Sequence, residues 1–160
     1  MKIYHFQTQL WLPQQREKIF EFFSEPRNLE RLTPPWLRFE ILGENSTIQK
    51  WGTLIDYRLR IRGIPVRWQS EISVWNPPRR FVDKQIRGPY RLWVHEHKFI
   101  EDAGGTRVED HVRYSVPGGS IVQKWLVAPD LQRIFRYRHD ALRQIFNPGG
   151  RTPNRTAHPD

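Results

Sequence analysis

Polar and apolar residues alternate along most of the chain, which is the pattern of β-strands with one buried face. The alternation occupies the first twelve residues and returns in six later segments, each followed by a turn sequence that contains Gly or Pro. It predicts strands over residues 2–12, 38–42, 53–61, 67–75, 80–87, 91–101 and 107–116, with turns such as Gly-Glu-Asn at 43–45. Connections this short favour antiparallel neighbours over parallel strands joined by helical crossovers.

Two regions have the spacing of amphipathic helices instead. Residues 14–24 place Ile19, Phe20 and Phe23 on one side, and a short second helix is predicted over residues 26–32. Residues 120–146 carry the longest helical pattern, with a predicted interruption at Ala128-Pro129. A run of strands closed by a helix predicts an α+β fold in which the helix lies on one face of a curved antiparallel sheet. A single helix is too narrow to cover seven strands, so a cavity between helix and sheet is expected.

Length and composition set the outer limits of this picture. The 160 residues suit one domain, expected over residues 1–147, while residues 148–160, rich in Pro, Gly and Arg, are expected to form a disordered tail. The absence of cysteine excludes disulfides, a thiol nucleophile and thiolate metal sites. The first twelve residues lack the apolar core of a signal peptide, and no apolar run reaches transmembrane length, so a cytoplasmic location is expected.

The charge is strongly positive, with 26 Lys and Arg against 17 Asp and Glu and a formal net charge of +9. Three arginines of one predicted strand share its outward face, near a fourth, and others follow on the outer side of the last helix: Arg58, Arg60, Arg62, Arg67, Arg133, Arg136 and Arg143. Nucleic-acid binding is not expected, because the aromatic residues that would stack on bases alternate to the inside. A solvated basic exterior accounts for the charge, and peripheral contact with an anionic membrane is the alternative.

The main chemical signal is a set of polar side chains on the inward faces of three predicted strands. Residues two apart on a strand share a face, so Asp83, the pair His95 and His97, and Asp110 all project toward the helix. The opposite assignment would bury charged residues such as Lys98, at a far greater cost in desolvation. The inward groups must therefore find hydrogen-bond partners in one another, in water or in a ligand.

Four roles stay open for this set. It can fix the polar head of a ligand whose apolar body lies among the aromatic residues, or it can be a self-satisfied ladder in which Asp83 or Asp110 accepts from a histidine. It can perform acid–base catalysis, with His97 as the base and Asp110 orienting it. The His-x-His spacing with an aspartate also satisfies three positions of a zinc or iron site.

The segment FVDKQIRGPYRLWVHEHKF at residues 81–99, with Gly105, Asp110 and Tyr114 after it, resembles the START-like superfamily. The resemblance extends over residues 3–146 in the order of its elements, and it is nearest to the polyketide cyclase/dehydrase and coenzyme-Q-binding START-type groups. It implies a helix-grip fold, in which the sheet wraps around the C-terminal helix and encloses a cavity. Members of the superfamily bind lipids, quinones, polyketides or hormones, and some are cyclases or aromatases; a shared fold does not transfer an activity.

The resulting hypothesis is a protein that binds a hydrophobic or amphipathic small molecule such as a lipid, quinone or polyketide in an internal cavity, as a carrier, sensor or chaperone. The alternative is a cyclase/dehydratase-type enzyme that uses His97, His95 and Asp110. Neither a cofactor nor a metal is expected. The expected ligand contacts share an inward orientation: Tyr57, Leu59, Trp68, Phe81, Asp83, Gln85, Trp93, His95, His97, Asp110, Tyr114 and Arg138.

Overall fold

Seven strands pair into one curved antiparallel sheet in the computed structural model of the chain, which describes residues 1–43 and 50–154. They are β1 (Tyr4–Leu12), β2 (Glu40–Ile41), β3 (Leu54–Ile61), β4 (Ile64–Asn76), β5 (Arg80–Arg87), β6 (Leu92–Asp102) and β7 (Gly105–Ser115). Their order across the sheet is β1-β7-β6-β5-β4-β3-β2, so β2 to β7 form a meander and β1 closes onto β7. The predicted antiparallel sheet of about seven strands is confirmed.

Helices fill the two places where the sequence predicts them. Two short helices and a 3₁₀ turn follow the first strand: α1 (Arg16–Ser24), α2 (Asn28–Leu32) and Pro35–Leu37. The last strand is followed by α3 (Gly119–Val122), a π-helical turn (Gln123–Val127) and α4 (Ala128–Phe146). The α+β class with a long C-terminal helix packed on the sheet is confirmed.

The predicted interruption at Ala128-Pro129 is wrong, because the helix continues from Gly119 to Phe146 through one wide turn. A proline inside a helix lacks an N–H donor, and its ring crowds the carbonyl four residues before it. The Ala128 N–H donates to the carbonyl of Gln123, five residues back, so the turn before Pro129 has π geometry. This wider turn gives the proline ring room without ending the helix.

The hairpin between β3 and β4 is tighter than predicted. Ile61 pairs directly with Ile64, which leaves only Arg62 and Gly63 in the turn and starts β4 three residues before the predicted strand. Both turn residues have positive φ, 50° and 81°. Two consecutive positive φ angles are the requirement of the type I′ turn, whose twist matches that of the flanking strands.

The core lies between the sheet and the helices. Helix α4 buries Leu131, Phe135, Leu142 and Phe146 toward the sheet. Helix α1 adds Phe20 and Phe23, which pack in the same cluster as Leu142 and Phe146 and whose rings contact Phe99, whereas Leu131 and Phe135 belong to a second cluster. The polar side chains of the inward sheet face lie between these two apolar regions.

Two sequence predictions fall partly outside the described residues. The predicted turn at 43–45 includes two residues of the gap, and the last six residues of the predicted tail, 155–160, are not described either. In the described part of that tail, the Asn147 side chain donates to the carbonyl of Arg151 and accepts from its N–H, both at 2.8 Å. Within the described residues, none of the helices is long and apolar enough to cross a membrane.

Candidate functional site

Two histidines and two aspartates meet on the inward face of the central strands. His95 and His97 lie two residues apart on the same face of β6, next to Asp83 on β5 and Asp110 on β7. In the strand register Asp83 lies opposite His95, and Asp110 lies opposite His97. Each aspartate nevertheless hydrogen-bonds to the other histidine, so the pairing is diagonal on both sides. We refer to these four residues as the His–Asp cluster.

The distances within the His–Asp cluster place both imidazoles between the two carboxylates. Asp110 Oδ1 is 2.7 Å from His95 Nε2, and Asp83 Oδ2 is 2.8 Å from His97 Nε2. The other ring nitrogens are less well served: His97 Nδ1 is 3.2 Å from Asp110 Oδ1 but is not aligned for a hydrogen bond, and His95 Nδ1 is 3.9 Å from Asp83 Oδ2. The two rings lie 3.7 Å apart between centroids, and Phe81 stacks on His97 at 4.2 Å.

The cluster separates the protonation behaviour of its two histidines. Burial lowers the pKa of both imidazoles, and the neighbouring His97 lowers the pKa of His95 further, so His95 stays below its ordinary value. For His97, contact with both Asp110 and Asp83 outweighs burial, and its pKa is raised. His97 is therefore the histidine that holds a proton more strongly.

Both carboxyl groups stay ionised in spite of being buried. Burial alone would raise the pKa of Asp110, but the positive charge of Arg138, the hydrogen bond from His95 and the close approach of His97 hold that pKa well below its usual range. The pKa of Asp83 is lowered in the same way, chiefly by the hydrogen bond from His97. Two carboxylates, one guanidinium and a histidine whose pKa is raised therefore share the site, so the two negative charges are at least partly balanced.

Arg138 enters the site from helix α4. Its side chain is buried, and its guanidinium lies over the rings of Phe23 and Phe135, 5.3 and 5.7 Å from their centroids. Its Nε and Nη2 are buried without a hydrogen-bond partner among the residues that the structure describes. A buried donor without an acceptor is costly, so Arg138 is the strongest unmet polar group of the site.

A cavity of about 180 Å³ lies between the sheet and helix α4 beside this cluster. Aromatic and aliphatic side chains form most of its wall, and Asp83, His95, His97 and Arg138 give it one polar region. A second, weaker polar point is formed by Ser70, whose hydroxyl lies 3.0 Å from Trp68 Nε1 and 3.2 Å from the Tyr57 hydroxyl. Burial raises the pKa of Tyr57 well above its ordinary value, so this hydroxyl is neutral.

The cavity wall contains most of the residues that the sequence nominates. Those that line it are Tyr57, Leu59, Trp68, Phe81, Asp83, Trp93, His95, His97 and Arg138. Three nominated residues lie elsewhere. Asp110 is behind the histidines, Gln85 bonds through its amide to the backbone of Tyr90, and the buried Tyr114 accepts a bond from Gln123 outside the cavity wall.

Several cavity residues were not nominated from the sequence. Four are strand residues of the inward face, Ile55, Ile61, Ser70 and Ile72. The others come from the helices, the 3₁₀ turn and the loops around the cavity, and include Leu29, Thr33, Leu37, Phe39, Tyr90, Asp130 and Ile134. Strand alternation says nothing about side chains on such segments. The GPY sequence at residues 88–90 is the one feature of the sequence that points to such a residue. It follows Gln85, whose side-chain amide fixes the Tyr90 backbone through two hydrogen bonds.

Asp83, His95 and His97 are also the set that could hold a metal ion, with ligand atoms within 4.8 Å of one another. Two features disfavour a cation there. The carboxylate and imidazole groups already bond to one another, and the positive charge of Arg138 is close enough to lower the pKa of both aspartates. The donor set therefore suits hydrogen bonding to a ligand better than metal coordination.

Comparison with known proteins agrees with this architecture. The chain is similar in structure to the Zhui aromatase/cyclase from Streptomyces sp. R1128, with a TM-score of 0.70 at 14% identity over 94% of this chain and 100% of that one. It is also similar to protein CV1439 from Chromobacterium violaceum (TM-score 0.70, 12% identity, 91% and 99% covered) and to a START superfamily protein from Mycobacterium smegmatis (0.65, 10%, 88% and 98%).

Sequence comparison gives the family. A search of proteins with curated descriptions finds no match. The sequence profile described as "Polyketide cyclase / dehydrase and lipid transport" matches residues 12–143. The resemblance to the START-like superfamily is confirmed, and the chain belongs to the polyketide cyclase/dehydrase and lipid transport family.

Proposed function

We propose that the protein binds one hydrophobic or amphipathic small molecule in the cavity between the sheet and helix α4. The observation that carries the proposal is an apolar, aromatic cavity whose main polar region is formed by Asp83, His95, His97 and Arg138, while the other charged lining residue, Asp130, is paired with Arg62. Such a cavity orients a ligand: its polar group meets the unpartnered donors of Arg138, and its apolar body lies against Leu59, Trp68 and Trp93. The family and the fold agree with this class of ligand.

The volume restricts the ligand further. About 180 Å³ is close to the size of an engineered core cavity of about 150 Å³ that holds benzene, and it is below the range of about 300–1,000 Å³ usual for ligand sites. The proposal is therefore a compact ligand of roughly one or two rings, or the ring end of a longer molecule. A polar oxygen is expected on that end, because a guanidinium donates to oxygen acceptors.

Quenching of tryptophan fluorescence tests this proposal, since Trp68 and Trp93 line the cavity. Menadione and 1-naphthol are suitable probes, because each combines a two-ring apolar body with an oxygen group. We expect saturable quenching by at least one probe, together with a bound mass in native mass spectra. Leu59→Trp fills the cavity and should abolish both signals, whereas Arg58→Trp on the exposed face of the same strand should leave them unchanged.

Equal quenching of the wild type and Leu59→Trp would show that the probes bind elsewhere. Circular dichroism of both variants separates a filled cavity from a misfolded chain. A protein that binds no probe and carries no ligand from its expression host would contradict the proposal.

A second candidate, a cyclase- or dehydratase-type reaction, is favoured by the position of His95 rather than that of His97. Nε2 of His97 is bonded to Asp83, and its buried Nδ1 lies 3.2 Å from Asp110, so neither nitrogen is open to a substrate in the cavity. His95 lines the cavity, is bound on Nε2 by Asp110, and its Nδ1 makes no hydrogen bond within the described residues. Its lowered pKa keeps it neutral near pH 7, which suits a general base oriented by a carboxylate.

The catalytic candidate is separated from simple binding by His95→Gln. A β-hydroxyketone with an aromatic substituent is a suitable substrate probe, because its dehydration gives a conjugated product with a new ultraviolet absorbance. If the protein is an enzyme, His95→Gln should lower the rate by about 10²–10⁴-fold while quenching by the probe persists. Absence of turnover in the wild type, with binding intact, leaves the binding function alone.

A further inference from the structure

A group of exposed apolar side chains lies at one end of the molecule. Ile121, Trp125 and Leu126 on the helical segment before α4 are 72%, 66% and 40% exposed, and Ile64 at the β3–β4 turn is 66% exposed. Isolated exposed apolar residues are ordinary, but several large ones on neighbouring segments indicate an interaction surface. We refer to these four residues as the docking patch.

The two segments of the docking patch are joined by Arg62. Its guanidinium donates to the backbone carbonyl of Leu126 at 3.4 Å and pairs with Asp130 at 3.1 Å. These bonds fix the β3–β4 turn against the start of the C-terminal helix. Ile121 and Trp125 are four residues apart, so they project from the same side of that helical segment.

The charge around the docking patch is almost entirely positive. Arg60, Arg67, Lys124 and Arg133 are exposed on the adjoining segments, and Lys124 lies 5.4 Å from the Trp125 ring. Residues 57–67 and 116–136 contain a single acidic residue, Asp130, and it is paired with Arg62. The surface therefore combines apolar side chains with a cationic border.

The docking patch also borders the cavity. Ile61, the pairing partner of Ile64, lines the cavity wall from β3, and Asp130 and Ile134 line it from α4. These three residues remain partly exposed, so the cavity reaches the surface beside the patch. A hydrophobic molecule that leaves the cavity at this opening avoids water only if the surface bound to the docking patch is itself apolar.

We propose that the docking patch binds the surface of an anionic lipid bilayer. Trp and aliphatic side chains bordered by Lys and Arg suit the boundary between acyl chains and headgroups, where the rings enter the interface and the cations meet phosphates. A protein partner would have to supply an acidic rim that matches the cationic border, in addition to an apolar centre. A nucleic acid would use the cations but would leave the aliphatic residues without a partner. The inference goes beyond ligand binding and does not depend on what the cavity holds.

Vesicle co-sedimentation tests the docking patch. The probes are vesicles of phosphatidylcholine alone and of phosphatidylcholine with about one-third phosphatidylglycerol, at ionic strengths of about 0.1 M and about 1 M. We expect the wild type to sediment with the anionic vesicles and much less with the neutral ones. The double variant Ile121→Ser, Trp125→Ser should bind at least about tenfold more weakly, because it loses the binding free energy gained when two large apolar side chains move from water into the bilayer interface.

Trp51→Ser is the matched control. Trp51 is 72% exposed but precedes β3, at the end opposite the β3–β4 turn, so its substitution should leave vesicle binding unchanged. The proposal is overturned if the wild type does not bind anionic vesicles, if Trp51→Ser weakens binding as much as the double variant, or if the double variant binds like the wild type. If the double variant binds like the wild type, the apolar side chains do not take part and the binding is electrostatic only.

Two further measurements separate other partners from the bilayer. Tighter binding to a single-stranded oligonucleotide than to vesicles, or a concentration-dependent dimer in gel filtration that the double variant abolishes, would each replace the bilayer as the partner. Quenching by the cavity probes should be unchanged in the double variant. The two proposals fail separately: a wild type that shows quenching but no vesicle binding overturns the docking patch alone, and one that binds vesicles but shows no quenching overturns the cavity proposal alone.

Discussion

The diagonal pairing of the His–Asp cluster gives each carboxylate one short bond to a histidine and a second, longer approach to the other ring. Both carboxylates keep their charge in a buried place because imidazoles and Arg138 surround them. A cluster of this kind is sensitive to the loss of any member, since each removal leaves another polar group without its partner.

The first prediction concerns Asp110, which has the more buried carboxyl group of the two. Asp110→Asn removes the charge that balances Arg138 and the acceptor that His95 and His97 share, so it should destabilise the protein by about 3–5 kcal/mol. Urea unfolding followed by circular dichroism measures this loss. The matched control is Glu109→Gln, because Glu109 pairs with Arg107 on the outer face and should change stability by no more than about 1 kcal/mol. Equal losses in both variants would contradict a special role for the buried charge.

The second prediction concerns the order in which the histidines titrate. NMR of the imidazole resonances should show His97 losing its proton above the ordinary value of about 6.5 and His95 losing its own below it. The raised pKa of His97 also fixes how its contribution to folding stability changes with pH. A raised pKa in the folded protein makes the His97 contribution fully present below pH of about 6.5, and that contribution is lost as the pH rises through the folded value.

Comparison of the wild type with His97→Gln isolates this effect. The difference in unfolding free energy should be largest at acidic pH, above the range in which the aspartates protonate, and should shrink as the pH rises past neutrality. A stability difference that grows with pH, or a pKa of His95 above that of His97, would show that the two histidines have been assigned the wrong way round.

At the scale of elements, helix α4 closes the fold over the cavity. Its first half lines the cavity with Leu131, Ile134, Phe135 and Arg138, and its second half packs on the core through Leu142 and Phe146. The cavity therefore lies under the first half of α4, and the end of the helix is fixed by direct packing.

The third prediction tests the anchor at the end of α4. Leu142 is completely buried, so Leu142→Ala should cost about 2–5 kcal/mol in the free energy of unfolding. Gln144→Ala, two residues further on the exposed side, should stay within about 0.5 kcal/mol of the wild type. Chemical denaturation of the two variants makes the comparison. A small effect of Leu142→Ala would mean that α4 is not fixed by its end.

Alternation predicted the strands closely because the sheet has one inner face and one outer face along most of its length. The departures come from local backbone geometry that residue period does not encode. A bulge between Ile72 and Val74 brings Trp75 into the core beside Phe20 and Phe81. Likewise the π turn before Pro129 keeps the helix continuous, although the proline alone indicates a break.

At the scale of the whole molecule, the inward face of the central strands was predictable and the depth of each residue was not. The sequence places Asp83, His95, His97 and Asp110 on one face, and the structure brings them together. It gives no sign that Asp110, on β7, stays out of the cavity wall, because access to the cavity depends on how the sheet curves around α4. The helix and loop residues of the wall were missed for the same reason, since they reach the cavity through tertiary packing alone.

The cavity has one more consequence, for the thermal behaviour of the protein. Without an occupant, a cavity of about 180 Å³ would deprive the surrounding side chains of dispersion contacts, at a cost on the order of 4 kcal/mol if about 24 cal/mol is lost per Å³. An occupant that fits returns part of that loss, and each kcal/mol recovered raises the midpoint of melting by about 2–4 °C in a chain of this size. A rise in the melting midpoint on addition of a compound is therefore a direct assay for occupation of the cavity.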